Sequence, residues 1–179
     1  IEDRAGTVWI GGVNGLFYWQ DGQFHASAIP KSHIKDLRLG KKGELWVAGL
    51  GFVPFALSVS DLLQLKRGET VEVKPFTTSS AWEAAIGNFR VWALDIDNHG
   101  AVWFGLDNRH ASYDGADLKI HWKDSTVVHQ YLAIAAFNQD SVFWGSEDTP
   151  ALFQHQGRLT PVAQPTNAPV TYIITKTDA

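Results

Sequence analysis

Short runs of consecutive apolar residues recur along the chain, each preceded by a polar turn and followed by glycine or a small residue. The runs are Val8-Trp9-Ile10, Leu45-Trp46-Val47, Val102-Trp103-Phe104 and Val142-Phe143-Trp144. Because their residues are apolar at successive rather than alternate positions, we expect strands that are buried on both faces. The preceding turns carry Gly6, Gly43, Gly100 and, in the fourth copy, Asp140. Glycine suits such a turn because it accepts a positive φ without penalty.

The copies recur at intervals of roughly forty residues, and the second copy is longer by about twenty. The equivalent aromatic positions, which we expect to be buried between adjacent sheets, are Trp9, Trp46, Trp103 and Phe143. Small antiparallel sheets at this period are typical of the blades of a β-propeller, which have four strands in about forty to forty-five residues. The Gly, Pro, Trp, Val and Ile content disfavours a helical solenoid of similar period. The sequence therefore predicts an all-β propeller fold with about four blades.

The ends of the chain favour a segment of a larger, seven- or eight-bladed propeller. We place the repeats at 1–31, 32–89, 90–130 and 131–168, with 169–179 as the first strand of a further blade. The chain opens on the last residues of an inner strand and closes on "VTYIITKTDA", which matches an inner strand that stops before its turn. The alternative is that four blades close on themselves, with the last strand completing the first blade.

The first copy, "IEDRAGTVWIGGVNGLFYWQDGQF" (1–24), combines Asp-x-x-Gly, x-x-Trp-x-Gly and Asn-Gly-Leu followed by an aromatic residue. This pattern resembles the two-component regulator propeller repeat, strongly in the first and third copies and loosely in the second and fourth. In that family the repeat builds periplasmic sensor domains of bacterial hybrid histidine kinases, diguanylate cyclases and related regulators. The resemblance implies a periplasmic or extracellular ligand-sensing module, coupled to a cytoplasmic output that this chain lacks.

The composition of the chain excludes some classes of binding partner. The chain is 45% hydrophobic and 19% charged, with a net charge of −4, and it has no run of Lys or Arg. We therefore expect neither nucleic-acid binding nor membrane contact by this segment. No segment approaches the roughly eighteen apolar residues of a membrane span. Cysteine is absent, which excludes disulfides and a thiol nucleophile.

The extra residues of the second copy fall in two places. In "SDLLQLKRGE" (60–69), we expect Leu62, Leu63 and Leu65 to cap the blade. In "TTSSAWEAAIGNFR" (77–90), the capping box Ser80 to Glu83 and the later Gly87 predict a short helix. Its Trp82 either plugs the space between blades or offers a surface on which a ligand stacks.

The helix and the loops from second to third strands are predicted to share one face of the propeller, where we place the ligand site. The candidate ligand-binding residues are Trp82, Glu83, Arg90, Asp107, Asn108, Arg109 and His110. Their acidic, guanidinium and aromatic groups suit a small polar ligand such as a sugar or carboxylate. Neighbouring blades or domains are the other expected partners, and a homodimer is compatible with the sequence.

Catalytic signatures are sparse. The histidines show no metal-ligand spacing, and neither a nucleophile elbow nor a glycine-rich phosphate loop is present. The polar clusters at Asp107–His110 and at Glu147 with Asp148 could supply a general acid and base, or they are solvated loops. We predict no cofactor, no metal and no catalytic residue in this segment. The alternatives are a propeller enzyme of the streptogramin-lyase type, with a His and Glu pair holding a divalent cation, and a protein-interaction scaffold.

Overall fold

The computed structural model of the chain describes residues 1–29, 32–87, 90–123, 130–146 and 150–162. Within these residues the chain forms four antiparallel sheets, each made of strands that are consecutive in the sequence. The chain divides into two compact units, and the boundary in the sequence lies between Arg90 and Val91. The predicted all-β class with four successive small sheets is confirmed. The predicted strand at 169–179 lies outside the described residues.

The first unit contains two three-stranded sheets and both helices. The first sheet comprises β1 (Val8–Gly12), β2 (Gly15–Gln20) and β3 (Gln23–Ala26). The second sheet comprises β4 (His33–Leu39), β5 (Leu45–Leu50) and β6 (Phe55–Leu57). Helices α1 (Val59–Lys66) and α2 (Ser79–Ile86) follow β6. A core cluster that includes Trp9, Leu16, Leu45 and Leu57 holds the two sheets and α1 together.

The second unit contains two four-stranded sheets. The third sheet comprises β7 (Val91–Ile96), β8 (Val102–Leu106), β9 (Arg109–Tyr113) and β10 (Leu118–Lys123). The fourth sheet comprises β11 (Tyr131–Asn138), β12 (Ser141–Ser146), β13 (Leu152–His155) and β14 (Arg158–Pro161). Strand β11 packs against β7 and β8, so the two sheets share one core, to which Trp103, Tyr131 and Trp144 contribute.

An aspartate orders the turn in the first repeat and joins it to the repeat's tryptophan. Asp3 Oδ1 accepts hydrogen bonds from the backbone N–H of Ala5 (2.8 Å) and Thr7 (2.9 Å). Its Oδ2 accepts from Trp9 Nε1 at 2.8 Å. Gly6 closes the turn at φ 78°, a left-handed conformation that favours glycine. The spacing Asp-x-x-Gly-x-x-Trp is therefore a hydrogen-bonded unit.

The third repeat builds the same unit from the same residue types. Asp97 Oδ1 accepts from the backbone N–H of His99 (2.8 Å) and Ala101 (3.0 Å), and its Oδ2 accepts from Trp103 Nε1 at 3.1 Å. Gly100 has φ 92°. The close match of the first and third copies in sequence thus corresponds to a match in turn geometry.

The second repeat has Gly40 where the others have aspartate, and Glu44 supplies the carboxylate instead. Glu44 Oε2 accepts from the backbone N–H of Lys42 at 3.0 Å, the donor equivalent to those of Ala5 and His99. A Cβ built on Gly40 would lie 2.0 Å from Glu44 Oε1. The Glu44 carboxylate therefore occupies the space of the missing side chain, and the turn keeps its shape, with the N–H of Gly43 donating to Gly40 O at 3.0 Å.

The predicted burial of the four aligned aromatic residues is confirmed in part. Trp9, Trp46 and Trp103 are buried, but Phe143 is only half-buried, and the adjacent Trp144 takes the core position in the fourth sheet. The prediction for Phe143 is wrong because the turn before β12 has only two residues and β11 carries a bulge before it, so that Val142 and Trp144 face the core. Phe143 stacks on Phe153 instead, with ring centroids 4.4 Å apart.

Among the four strands that carry the apolar runs, all of which lie in the described residues, only those of the second and third repeats bury the whole run. The central residues of β5 and β8 are all buried, including Leu45, Val47, Val102 and Phe104. In β1, by contrast, Ile10 is exposed. The first sheet therefore buries one face of β1, which stands at the end of its strand order, and the double-sided prediction is wrong for that copy.

In β1 and β8, the glycine that follows the apolar run lets the next sheet approach. A Cβ on Gly11 would lie 2.3 Å from Cγ2 of Ile34 in β4, and a Cβ on Gly105 would lie 2.5 Å from the carbonyl oxygen of Tyr131 in β11. Real Cβ atoms do not make such contacts, so a larger residue at either position would require the neighbouring group to move or to be replaced by a smaller one, and at Gly105 that group is main chain. These glycines set the packing distance within each unit.

Both insertions of the second repeat contain a helix. The predicted helix after residue 77 is confirmed as α2, with Gly87 as its left-handed C-cap at φ 82°. Its N-cap is Thr78, which accepts from the N–H of Ala81 at 3.1 Å, and not the predicted Ser80. Helix α1 was not predicted, although Ser58 and Asp61 form a capping box.

Candidate functional site

The hairpin between β8 and β9 carries four of the seven predicted site residues. Asn108 occupies the turn at φ 56°, a left-handed conformation that asparagine tolerates. Asp107 Oδ1 accepts from Trp92 Nε1 at 2.6 Å, which fixes the carboxylate beside β7. Asp107, Asn108 and Arg109 are half-buried. The structure thus brings a carboxylate, an amide and a guanidinium together at one hairpin end.

His110 is fully buried and belongs to the core of the second unit. Its ring stacks on Trp144, with centroids 3.7 Å apart and an interplanar angle of 7°, and it meets the edge of Tyr131 at 4.1 Å. Burial, with a smaller effect from His121, holds the pKa of His110 well below its ordinary value. The imidazole is therefore neutral near pH 7, and its ring is not presented to solvent.

Trp82 is also fully buried, in α2 of the first unit. The rings of Trp82 and Phe76 pack edge to face, with centroids 5.7 Å apart, and the centroids of Phe76 and Trp46 are 5.9 Å apart. This aromatic series joins α2 to the second sheet, which supports the plug and not the ligand-stacking alternative. Glu83 and Arg90 are exposed, and the backbone of Arg90 pairs with Leu50.

The predicted site residues therefore form two local groups, Trp82, Glu83 and Arg90 in the first unit and Asp107–His110 in the second. Their union in one ligand site stays a prediction. The second polar cluster of the sequence, Glu147 with Asp148, lies outside the described residues.

An apolar cavity of about 370 Å³ in the first unit includes the predicted loop after β5. Its walls are Ile29, Ser32, Gly51, Phe52, Val53, Phe55, Val73, Pro75 and Ser79. The rings of Phe52 and Phe55 lie 5.7 Å apart there. The sequence signal was weak, because "GLGFVPF" departs from the Asn-Gly-Leu of the other copies. The cavity volume of about 370 Å³ is within the range of small-molecule sites.

A polar cavity of about 250 Å³ lies in the second unit, beside the turns that join first to second and third to fourth strands. His121 stacks on Trp103 at 4.5 Å, and its Nε2 lies 2.7 Å from Ser112 Oγ. Loss of hydration at the ring, together with the charge of Lys119, lowers the pKa of His121. The buried Gln154 Oε1 lacks a hydrogen-bond partner among the described residues. Sequence reasoning missed this cavity because its residues are far apart in the repeat.

The described residues can also be compared with the requirements of a metal site and of a membrane-spanning helix. Among the described residues, no group of three or more His, Cys, Asp or Glu side chains is arranged to hold a metal ion. In the same part of the chain, no helix has the length and apolar character needed to cross a membrane.

Comparison with solved structures shows what fold this chain resembles. It matches the extracellular domain of BT4673 from B. thetaiotaomicron, a candidate one-component system, with a TM-score of 0.66 and 15% identity, covering 93% of this chain and 23% of that one. It also matches an extracellular domain of BT4673 described as a candidate hybrid two-component system, with a TM-score of 0.64 and 16% identity, covering 90% and 21%. Neither a family model nor a curated protein sequence matches. The chain spans less than a quarter of these structures, and at these identities the likeness establishes the fold.

Proposed function

We propose that the four sheets are successive blades of a β-propeller, and that the chain is an extracytoplasmic, ligand-sensing segment of a bacterial signal-transduction protein. The observation that carries this proposal is the likeness to the extracellular domain of BT4673 over 93% of the chain. Because the chain covers 23% of that structure, we assign it to a larger propeller rather than to a closed ring of four blades.

The packing within each unit supports the propeller assignment. Consecutive sheets pack through their first strands, as β11 does against β7. Asp95 in β7 reaches across and its Oδ2 accepts from the backbone N–H of Ala136 in β11 at 2.8 Å. Stacked meanders that share a core through adjacent inner strands are the arrangement of propeller blades.

In this proposal, ligand contacts come from polar side chains on the loops, and buried aromatic side chains hold those loops in place. Glu83, Arg90 and Arg109 supply charged groups, and Arg can bind a carboxylate in a bidentate manner. Trp82 and His110 anchor their segments in the core of their own units. The expected ligand is a small polar molecule, and the proposal includes no catalytic step.

The location is tested with the bacterial protein that carries this chain, kept from its own N-terminus to residue 179 and fused there to alkaline phosphatase. We expect phosphatase activity in whole cells, because that enzyme matures only after export to an oxidising compartment. A parallel fusion to a fluorescent protein that folds only in the cytoplasm should stay dark. A fluorescent fusion without phosphatase activity would place the chain in the cytoplasm and contradict the proposal.

A further inference from the structure

A third cavity, of about 300 Å³, lies in the first unit between two repeat turns and helix α1. The turns of the first and second repeats provide one side, and α1 provides the other. Its lining includes Asp3, Arg4, Lys42, Val59, Leu63 and Lys66. This volume is at the lower end of the range for small-molecule sites.

Helix α1 gives the cavity an apolar wall that the fold itself does not require. Leu62 and Leu65 are buried and pack into the core, which accounts for the position of the helix. Val59 and Leu63, however, are 50% and 46% exposed. Two large aliphatic side chains left in contact with water beside a cavity favour an apolar occupant.

Three cationic side chains line the same cavity. Lys66 Nζ donates to Thr7 Oγ1 at 2.7 Å, and Arg4 Nη2 donates to the carbonyl oxygen of Lys41 at 2.5 Å. Arg4 also passes Gly43, where a Cβ would lie 3.7 Å from Arg4 Cδ and 3.2 Å from Val59 Cγ2. The guanidinium is thus held at the apolar wall. Lys42 is the third cationic residue of the lining.

The lining contains a single carboxylate, and it is already engaged. Both oxygens of Asp3 accept hydrogen bonds from within the turn, from Ala5, Thr7 and Trp9. The lining therefore carries an excess of positive charge over an apolar surface. A neutral apolar ligand would leave this charge unused, and a small inorganic anion would leave Val59 and Leu63 exposed.

We propose that this cavity binds a small amphipathic carboxylate, whose anionic group pairs with Arg4 and Lys42 while its apolar body covers Val59 and Leu63. The site shares no residue with the loop residues of the proposed sensing role. It can therefore be tested independently of that role and of the location of the chain.

The test is a titration of the isotope-labelled chain followed by amide NMR shifts, with three probes. Hexanoate carries both features, acetate carries only the charge, and 1-hexanol carries only the apolar body. We expect hexanoate to bind at least about tenfold more tightly than acetate, because each methylene it buries adds hydrophobic free energy. Hexanol should also bind more weakly than hexanoate, and the shifts should centre on residues 3–5, 42–43 and 59–66.

Variants separate the two parts of the site. Lys42→Gln should weaken hexanoate binding about two- to fivefold, as expected for loss of an exposed ion pair, and leave hexanol unaffected. Leu63→Ser should weaken the binding of both hexanoate and 1-hexanol. Lys74→Gln is the matched control, since Lys74 is an exposed lysine of the same unit that does not line the cavity.

Two results would overturn the proposal. Hexanoate binding no tighter than acetate would remove the apolar part of the site. Equal weakening by Lys42→Gln and Lys74→Gln would show that the anion responds only to overall charge. Thermal melts of each variant verify that the chain is folded, so a loss of binding cannot be confused with a loss of structure.

Discussion

Trp103 shows how much of the fold rests on single residues. It is buried, its indole N–H donates to Asp97, and its ring face stacks on His121. Trp19 in the first sheet differs, because it is 38% exposed and its ring packs edge to face with Phe24. Position in the sheet, and not residue type, therefore decides what a tryptophan contributes to stability.

Replacing Trp103 by alanine should lower the free energy of unfolding by about 3–5 kcal/mol, the usual range for a buried large aromatic residue. Chemical denaturation of the chain measures this change. Trp19→Ala, the control, should cost clearly less because its side chain keeps much of its contact with water when folded. A loss below about 1 kcal/mol for Trp103→Ala would contradict its place in the core.

At this scale the sequence predicts the tryptophans well and the fourth repeat poorly. Trp9 and Trp103 could be assigned to the core because each is the middle residue of a run of three apolar residues. Phe143 and Trp144 are adjacent and equally apolar, so composition does not distinguish them. The choice depends on a bulge in β11, which results from strand pairing and has no sequence signal of its own.

The repeat turn is the element that the chain reproduces most closely, and its requirement is a carboxylate at a fixed place. Asp3 and Asp97 provide it from the first position of the turn, whereas Glu44 provides it from the fifth. In all three repeats the carboxylate accepts a hydrogen bond from the backbone N–H two residues after the first position of the turn. The turn therefore tolerates exchange of the residue that bears the carboxylate.

We expect Glu44→Ala to destabilise the chain by about 1 kcal/mol, the typical net contribution of one such hydrogen bond. Adding Gly40→Asp in the same chain should recover most of that loss, because the space that Glu44 vacates admits the aspartate side chain. Gly40→Asp alone should be destabilising, since both carboxylates would compete for one position. Thermal and urea denaturation of the three variants measure the effect. A double variant less stable than Glu44→Ala would contradict the exchange.

The helices show where local sequence signals succeed and fail. The capping box Ser80 to Glu83 and Gly87 predict α2, but Thr78 and Ser80 are both good N-cap residues, so the sequence does not fix the residue at which the helix begins. Helix α1 has a capping box at Ser58 and Asp61. Its Leu62 and Leu65 are buried as expected for residues that cap the blade, whereas Leu63 is 46% exposed.

For the whole molecule, the buried His110 couples stability to pH. Its pKa in the folded chain is far below the ordinary value of 6.5, because burial opposes the charged form and His121 lies nearby. Below pH 6.5 the unfolded chain therefore binds a proton that the folded chain does not. Stability should fall as the pH decreases from 7 to 5, by up to about 1.4 kcal/mol per pH unit from this residue.

His110→Phe should remove this part of the pH dependence, since phenylalanine can stack on Trp144 and does not titrate. The measurement is urea denaturation at several pH values between 5 and 7. Phe24→Leu, an exposed position with no titratable group before or after the change, is the control and should leave the slope as it is in the native chain. An unchanged slope in His110→Phe would show that this imidazole does not control acid sensitivity.

The four-sheet order could be predicted from the sequence because each repeat carries its own strands and turns. The cavities could not, because their linings come from residues that are distant in the chain, such as Arg4 and Leu63. The predicted loop site identifies chemistry at the end of one hairpin, from Asp107 to Arg109. It did not anticipate that Trp82 and His110 pack inward. An aromatic residue in an inserted helix such as α2, or at the start of a strand next to a polar turn such as β9, has the same sequence signature whether it is buried or exposed.

The closing glycines imply different freedom for evolutionary change at equivalent positions. At Gly11 the obstacle is the side chain of Ile34, which a smaller residue could relieve, so the two positions can vary together. At Gly105 the obstacle is the main-chain carbonyl of Tyr131, which no substitution removes. Among homologues, position 11 should therefore drift in concert with position 34, whereas position 105 should remain glycine in every lineage that keeps this spacing between sheets.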